Sequence, residues 1–483
     1  MIAQPTAIRN VSWAVAWDEA ARRHVYRRDV DIRIADGRIA DITAAGATPS
    51  AAPGEQALDG RGMLVLPGLV NIHSHPTTEP AGRGVREDHG VPEQQMTGLF
   101  ERLQAFRLDD AGRRAAAVMA YSEMLRAGTT TAMDLTSAFD GWFDTMAASG
   151  MRWYAGPAFA SARWGMSAPQ TVTWTWDEAA GRRAFQEAQA VMDAAERHPS
   201  GRIKAVVFPA QIDTVEEGLL RDAIALARQT GRPFTTHISQ AVVEVREIIR
   251  RHGVTSAQYA LRLGLLRPGT ILGHCILLDD HPQIGWHTRR DLDVIADGGA
   301  AVAHCPQPFA RYGVALNHFG RYRARGVTVG FGTDCAPHNL IEEMRLAIVA
   351  GRLMSADVHS VDTGTVFHAA TVGGADALGR SDLGRLAPGC AADLVLVDLA
   401  HPLMQPARDP LRSFVFHAAD RAVRTVLVGG AVVLRDGKPV GLDPEAAAAQ
   451  VADSQARMLR DAANLDYRGR DGDTIAPLSL PLH

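Results

Sequence analysis

The stretch MLVLPGLVNIHSH, residues 63–75, decides the fold of this chain. It begins as an apolar run of strand character and ends in two histidines, His73 and His75, at alternate positions. From Met63 onward, apolar strand-like runs alternate with segments of helical length. Strands that alternate with helices predict a parallel sheet.

Eight apolar runs follow this pattern, with helical segments between them. The runs are Leu64–Val70, Thr129–Leu135, Met151–Phe159, Ile203–Phe208, Pro233–His237, Thr270–Cys275, Ala300–Cys305 and Val327–Asp334. Eight such units favour an α/β fold of the closed (β/α)8 TIM-barrel type. The alternative, an open doubly wound sheet, requires a glycine-rich phosphate turn after an early strand, and the sequence has none.

The two ends of the chain have a different, strand-rich pattern. The N-terminal segment Ala7–Thr43 and the runs after Leu386 read as short strands with turns between them. We therefore predict that the chain ends pair into one small β-sandwich beside the barrel. The predicted organisation is 1–63 and 387–444 for the β-sandwich, 64–386 for the barrel, and 445–483 for a C-terminal helix and tail.

The composition excludes several classes of protein. The 483 residues are 46% hydrophobic and 22% charged, with a formal net charge of −4, as in folded domains. A pI near 6.5 argues against nucleic acid as the main partner. No apolar stretch approaches the roughly 20 residues of a membrane helix. Four cysteines without a CxxC pattern make neither a disulfide framework nor a cysteine zinc site, so we expect a cytoplasmic protein.

Five polar side chains lie at the predicted strand ends. His73 and His75 follow the first strand, where alternate positions share a face and both imidazoles can reach one metal ion. His237 ends the fifth run, His274 lies near the end of the sixth, and Asp334 ends the eighth. The carboxyl ends of barrel strands open onto one face, so these residues should converge there. Imidazoles with a carboxylate suit a divalent ion such as Zn²⁺.

These motifs resemble the amidohydrolase superfamily. The matching segments are residues 67–75, the strand ends at His237 and His274, residues 303–306, residues 332–334 and residues 382–396. Their order matches from about residue 30 to about residue 435, and the resemblance is nearest to the branch of guanine deaminase, S-adenosylhomocysteine deaminase and the triazine hydrolases. A looser resemblance links residues 281–290 and 319–322 to molinate and phenylurea hydrolases.

The resemblance implies roles for individual residues. The metal ligands would be His73, His75, His237 and Asp334. His274 would polarise or position the substrate, and Asp334 would also accept a proton from the attacking water. Two-metal members carry a carboxylated lysine at the end of the fourth strand, whereas Lys204 begins that strand here. One divalent ion per chain is therefore expected, Zn²⁺ first, with Fe²⁺, Co²⁺ or Mn²⁺ as alternatives.

Gln240 departs from the pattern of this branch. Its deaminases have His-x-x-Glu, and the glutamate carries a proton to the leaving nitrogen, but this chain has His237-Ile238-Ser239-Gln240. An amide cannot exchange a proton at neutral pH. Either Asp334 and His274 perform all the proton transfer, or the leaving group needs little protonation. Gln240 is then a substrate ligand or a relic of a lost acid–base group.

Three further features have two interpretations each. His304, at the seventh strand end, contacts substrate or forms hydrogen bonds within the rim. Of Trp153, Trp164, Trp174 and Trp176, at least one lines an apolar substrate pocket, or all of them pack against helices. The glycine-rich segment 80–92 is a lid or a solvated loop.

The sequence favours a metal-dependent amidohydrolase that cleaves a non-peptide C–N bond in an amide, urea, carbamate or cyclic amidine. The substrate would be a small molecule and the activated nucleophile would be water. The alternative is an aminohydrolase or a dechlorinase-type hydrolase acting on a heteroaromatic ring. A catalytically silent relative would have lost ligands, and this chain keeps them all. We expect no nucleic-acid or membrane partner and, because relatives are commonly oligomers, a homodimer or homotetramer.

Overall fold

The N-terminal part of the chain forms strands of a small β domain. The computed structural model describes residues 6–47, 56–77, 79–85, 97–316 and 319–482. The first strands are β1 (Ala7–Asp18), β2 (Arg23–Ala35), β3 (Arg38–Ala44), β4 (Ala57–Asp59) and β5 (Met63–Pro67). Asp36 and Gly37 join β2 to β3 with positive φ angles of 50° and 72°, which suit a tight hairpin turn.

The central part of the chain forms parallel strands. These strands, and a hairpin inserted among them, are β6 (Leu69–Asn71), β7 (Thr129–Thr136), β8 (Arg152–Phe159), β9 (Ala162–Ala168), β10 (Thr171–Trp176), β11 (Ile203–Ala205), β12 (Phe208–Pro209), β13 (Phe234–Ile238), β14 (Thr270–His274), β15 (Ala301–His304) and β16 (Val329–Phe331). The antiparallel pair β9–β10 is the insertion, and β11 with β12 makes the fourth strand position.

The parallel strands close into a barrel. One half runs β6–β7–β8–β11 and the other runs β13–β14–β15–β16. Parallel bridges between Val207 and Phe234 and between Ser74 and Asp334 join the two halves. The predicted TIM barrel is confirmed, and its closure brings strand ends from distant parts of the sequence together.

Apolar residues bury both faces of the barrel strands. Met133 of β7 packs in a different buried cluster from its neighbour Ala132, and Ile271 of β14 in a different one from Leu272. Burial on both faces is typical of parallel sheets covered by helices. This packing holds the strand ends in fixed relative positions.

Helices surround the barrel and continue to the C-terminus. They are α1 (Thr97–Ala105), α2 (Asp110–Arg126), α3 (Trp142–Ser149), α4 (Glu178–Glu196), α5 (Glu217–Thr230), α6 (Val242–His252), α7 (Ser256–Leu263), α8 (Asp291–Gly298), α9 (Pro306–Arg311), α10 (Phe319–Ala324), α11 (Leu340–Ser355), α12 (Thr363–His368), α13 (Gly374–Ala377), α14 (Pro410–Ser413), α15 (Pro444–Leu465) and α16 (Gly472–Ile475). None of the helices in the described ranges has the length and apolar character needed to span a bilayer.

The C-terminal strands complete the small domain. They are β17 (Leu394–Asp398), β18 (Val423–Val428), β19 (Ala431–Arg435) and β20 (Lys438–Pro439). The sheet has the order β20-β19-β18-β17-β5-β1-β2-β3, with β4 beside β1. Both chain ends therefore contribute to one β domain, as the sequence predicts. Backbone hydrogen bonds from Ile39 to Cys390 and from Ala392 to Gly37 close it around an apolar core. The domain boundaries at residues 63, 386 and 444 stay a prediction.

The run predicted as one barrel strand, Leu64–Val70, is divided between the two domains. β5 pairs with β1 and β17 in the small sheet, whereas β6 pairs with β7 in the barrel. Gly68 separates them, and a Cβ added there would lie 2.0 Å from Oγ1 of Thr130. Glycine is required because the backbone passes against a stiff, β-branched side chain.

Substitution Gly68→Ala tests this close approach. We expect it to lower the free energy of unfolding by about 1–3 kcal/mol, because overpacking displaces buried groups. Urea denaturation measures the change. The matched control is Gly364→Ala in α12, where the nearest atom lies 3.6 Å from the added Cβ. Equal stability of the two variants would contradict the packing argument.

Candidate metal centre and substrate pocket

Five polar side chains converge at one mouth of the barrel. Ligand atoms of His73, His237, His274 and Asp334 lie within 4.8 Å of one another. His75 joins them, with Nε2 at 3.0 Å from Nε2 of His237 and at 3.2 Å from Oδ1 of Asp334. The structure therefore brings together all five residues that the strand-end pattern selects.

Two backbone carbonyls set the tautomers of His75 and His237. Nδ1 of His75 donates to the Leu135 carbonyl at 2.7 Å, and Nδ1 of His237 donates to the Ala210 carbonyl at 2.5 Å. Because the protons lie on Nδ1, the two Nε2 atoms face each other as lone pairs. Two lone pairs 3.0 Å apart repel unless a cation lies between them. Carbonyl partners of this kind commonly orient histidine ligands of metals.

Burial sets the charges of the cluster. Loss of solvent lowers the pKa of His73, His237 and His274, so these imidazoles are neutral. Burial by itself would raise the pKa of Asp334, but the surrounding imidazoles, His274 first, hold it well below its usual range. Neutral nitrogen donors with an ionised carboxylate are the forms in which these side chains bind metals.

Buried ring nitrogens without partners support the same interpretation. Neither ring nitrogen of His73 or His274 has a hydrogen-bond partner within the described part of the chain. Buried polar atoms almost always have a partner, so such atoms need an explanation. The cluster fits a divalent metal ion. Its ligand set is still a prediction.

The backbone is strained at three points of this mouth. Ser239, Cys275 and Asp334 have positive φ angles of 53°, 53° and 56°. Non-glycine residues adopt this left-handed conformation infrequently, and such residues cluster at functional sites. Ser239 directly precedes Gln240, Cys275 directly follows His274, and Asp334 is itself a predicted site residue. The backbone strain therefore lies beside residues whose side chains need a defined orientation.

A cavity of about 380 Å³ opens onto the cluster. Its polar lining includes His75, His237, Gln240, Gln211 and Asp334. Its apolar lining includes Trp164, Phe208, Phe309, Tyr312, Leu99 and Leu103. A mainly apolar cavity with a few convergent polar groups is typical of a small-molecule site.

Gln240 lies in this cavity and is held at two points. Its side-chain Nε2 donates to Oε1 of Gln211 at 2.6 Å, and its backbone N–H donates to Oε2 of Glu244 at 2.9 Å. Glu244 also accepts from Ser256, and burial raises its pKa to about 7. The side-chain carbonyl of Gln240 is the acceptor that is left for another group.

His304 lies apart from the cavity lining. Its ring packs against Phe319 and Phe331, with centroids 5.5 and 5.6 Å away, and burial lowers its pKa to about 3. This position favours packing within the rim, and a substrate contact by His304 stays a prediction.

Sequence reasoning missed Gln211, Glu244 and Asp213. Gln211 and Asp213 lie just beyond the fourth strand position, where barrel geometry could have suggested a rim loop, but no motif marks them. Glu244 lies in α6 and is recognisable only by its contact with Gln240. Of the predicted lid, residues 86–92 lie outside the described residues.

The fold and the cluster define a metal-dependent hydrolase of the barrel type. A sequence profile of the amidohydrolase family matches residues 64–433. A 5-methylthioadenosine/S-adenosylhomocysteine deaminase of Halobacterium salinarum is 30% identical over 416 residues, which cover 85% of this chain and 90% of that protein. The chain belongs to the amidohydrolase family, and it is a hydrolase of carbon–nitrogen bonds other than peptide bonds.

Solved structures have the same fold. An adenosine deaminase from Xanthomonas campestris with bound zinc has a TM-score of 0.79 at 22% identity, over 94% of this chain and 98% of that chain. An atrazine chlorohydrolase from Arthrobacter aurescens, complexed with zinc, has a TM-score of 0.77 at 23% identity, over 93% and 99%. At these identities the likeness extends to the fold alone.

Removal of divalent metal tests the cluster. We expect a chelator to lower the melting temperature and added zinc to restore it, because an ion that binds the folded state stabilises it by about 4 kcal/mol at a concentration 1,000 times its Kd. Differential scanning fluorimetry measures the shift. The control is Asp334→Ala, which removes a charged donor and should show little response. An unchanged melting temperature in the wild type would contradict metal binding.

Proposed function

We propose that this chain hydrolyses a substituted carbon of a heteroaromatic ring and releases ammonia. The single observation that supports it most is the histidine–aspartate cluster beneath a cavity lined by aromatic side chains. The curated relatives favour this alternative over cleavage of an amide, urea or carbamate, since the relative from Halobacterium salinarum is named as a deaminase.

The residues of the cluster divide the chemistry between them. His73, His75, His237 and Asp334 would hold the ion. When bound, a divalent ion acts as a Lewis acid and makes a hydroxide nucleophile available near neutral pH. Asp334 accepts the proton of the attacking water and returns it to the leaving nitrogen as the C–N bond breaks. His274, buried beside Phe309, donates a hydrogen bond to the ring atom that gains charge.

Gln240 supports the second candidate. It cannot protonate a leaving amine, so a substrate whose leaving group departs unprotonated would suit this site better. Such substrates include thiocarbamates, which release a thiolate, and halogenated rings, which release a halide. Ammonia release from ring amines separates the two candidates.

We also propose one zinc ion per chain. The cluster offers three imidazoles and a carboxylate with His274 beside them, a donor set typical of catalytic zinc. Lys204 is exposed at the beginning of β11, so it is not available as a bridging ligand at the strand ends. A homodimer or homotetramer in the cytoplasm stays a prediction.

The proposed activity is tested by ammonia release. The purified, zinc-loaded enzyme is assayed with 5′-methylthioadenosine, S-adenosylhomocysteine and adenine, and separately with atrazine, a phenylurea and a thiocarbamate. We expect turnover of at least one ring amine. Turnover of atrazine or the thiocarbamate alone, with release of chloride or thiol, would support the second candidate and contradict the first. Turnover of the phenylurea alone would contradict both.

Substitution Asp334→Asn tests the proton acceptor. We expect kcat to fall by about 10²–10⁴-fold, the range that general acid–base catalysis contributes, while the circular dichroism spectrum is unchanged. The matched control, Asp222→Asn on the outer face of α5, should be fully active. Retained activity would remove Asp334 from the mechanism.

Substitution Gln240→Glu tests the missing acid. A carboxylate here could carry a proton to the leaving nitrogen, so we expect kcat for a ring amine to rise. Gln186→Glu on exposed α4 is the control for added charge. No change in kcat would mean that Asp334 already completes the proton transfer.

A further inference from the structure

The hairpin β9–β10 gives the cavity an aromatic wall. It leaves the end of β8 and carries Trp164, Trp174 and Trp176. Trp164 lines the cavity, whereas Trp174 is its partner on the opposite strand. Trp164 is therefore the member of the tryptophan cluster whose surface faces the space where a substrate binds.

A buried carboxylate fixes this tryptophan. Oδ2 of Asp213 accepts the indole N–H of Trp164 at 3.0 Å and that of Trp174 at 2.8 Å. Asp213 is fully buried, and its Oδ1 has no hydrogen-bond partner in the described part of the chain. Burying a carboxylate is unfavourable, so its presence needs a reason beyond packing.

Two other contacts hold the wall from the sides. The ring of Phe100, in α1, meets the Trp164 ring edge-on with centroids 4.5 Å apart. The guanidinium of Arg251 lies 5.0 Å from the Trp176 ring and donates to the Asp213 carbonyl at 2.7 Å. The hairpin is thereby attached to α1, to α6 and to the loop that carries Asp213.

The same loop also contacts the metal cluster. Residues 210–214 supply the carbonyl that accepts from His237, the side-chain oxygen that accepts from Gln240, and the carboxylate that accepts from Trp164. The backbone N–H groups of Ser161 and Ala162 donate to the Thr214 carbonyl at 2.9 and 2.8 Å. One loop thus sets the position of the aromatic wall relative to the cluster.

We propose that Trp164 binds the aromatic ring of the substrate and determines which rings are accepted, with Asp213 as the residue that positions it. This inference rests on the proposed function and names the residue that recognises the ring. The indole N–H is already donated to Asp213, so Trp164 offers only its apolar ring surface. The aromatic wall therefore selects substrate rings by their flatness and area, and it does not discriminate between their hydrogen-bonding groups.

The test separates binding of the ring from turnover. For the best substrate of the wild-type enzyme, we expect Trp164→Ala to raise KM by about 5–150-fold, the range of one lost stacking contact, with kcat within about twofold. Trp164→Phe should recover most of the affinity because it keeps an aromatic face. Asp213→Asn should raise KM by less than Trp164→Ala, again with kcat little changed.

Trp13→Ala is the matched control. It removes the same side chain from β1 of the small β domain, away from the hairpin and outside the cavity lining, so KM should stay within about twofold. Calorimetric titration with hypoxanthine and cyanuric acid, which are oxo products of purine and triazine rings, measures ring binding independently of turnover.

The outcomes distinguish the two proposals. Turnover of a ring amine with a KM indifferent to Trp164→Ala overturns the role of Trp164 and leaves the proposed function standing. If ring binding depends on Trp164 but no ring amine is turned over, the role of Trp164 is supported and the proposed function is contradicted. Neither binding nor turnover of any ring contradicts both.

Discussion

The rest of the site depends on two imidazole lone pairs that face each other 3.0 Å apart, on His75 and His237. The main-chain carbonyls of Leu135 and Ala210 accept hydrogen bonds from the Nδ1–H groups of these two rings. Neither ring can therefore turn an N–H group toward the other without losing its hydrogen bond. A positive charge between them relieves the repulsion. Everything nearby fits this arrangement, including the neutral state of the buried imidazoles and the ionised state of Asp334.

The loop of residues 210–214 connects this centre to the substrate cavity. It orients His237, engages Gln240 through Gln211, and holds Trp164 through Asp213. A change in the loop would therefore shift a metal-cluster histidine, a polar cavity group and an aromatic wall together. Such coupling fixes the relative positions of several groups on a rim made of loops, since each group is supported by the same short segment.

Gln240 is a site residue at which this chain differs from the family that it resembles. The order of the strand-end residues resembles that of the family, yet the residue three positions after His237 is an amide rather than an acid. In the structure this amide has a defined orientation, because one of its N–H groups donates to Gln211. Its carbonyl oxygen is left to accept a hydrogen bond from another partner. A hydrogen-bonding position at this point suits recognition of a neutral group.

The sequence by itself determined the barrel, the β domain made from both chain ends, and the five residues that converge. The alternation of strands with helices and the position of a residue at a strand end are local sequence patterns. When the barrel closes, residues at the ends of different strands lie close together. Only the tertiary structure decided that Leu64–Val70 is divided at Gly68, that His304 packs against two phenylalanine rings, and that Asp213 accepts a hydrogen bond from Trp164. These depend on contacts between residues far apart in sequence or on loop geometry, and no periodicity along the chain encodes either.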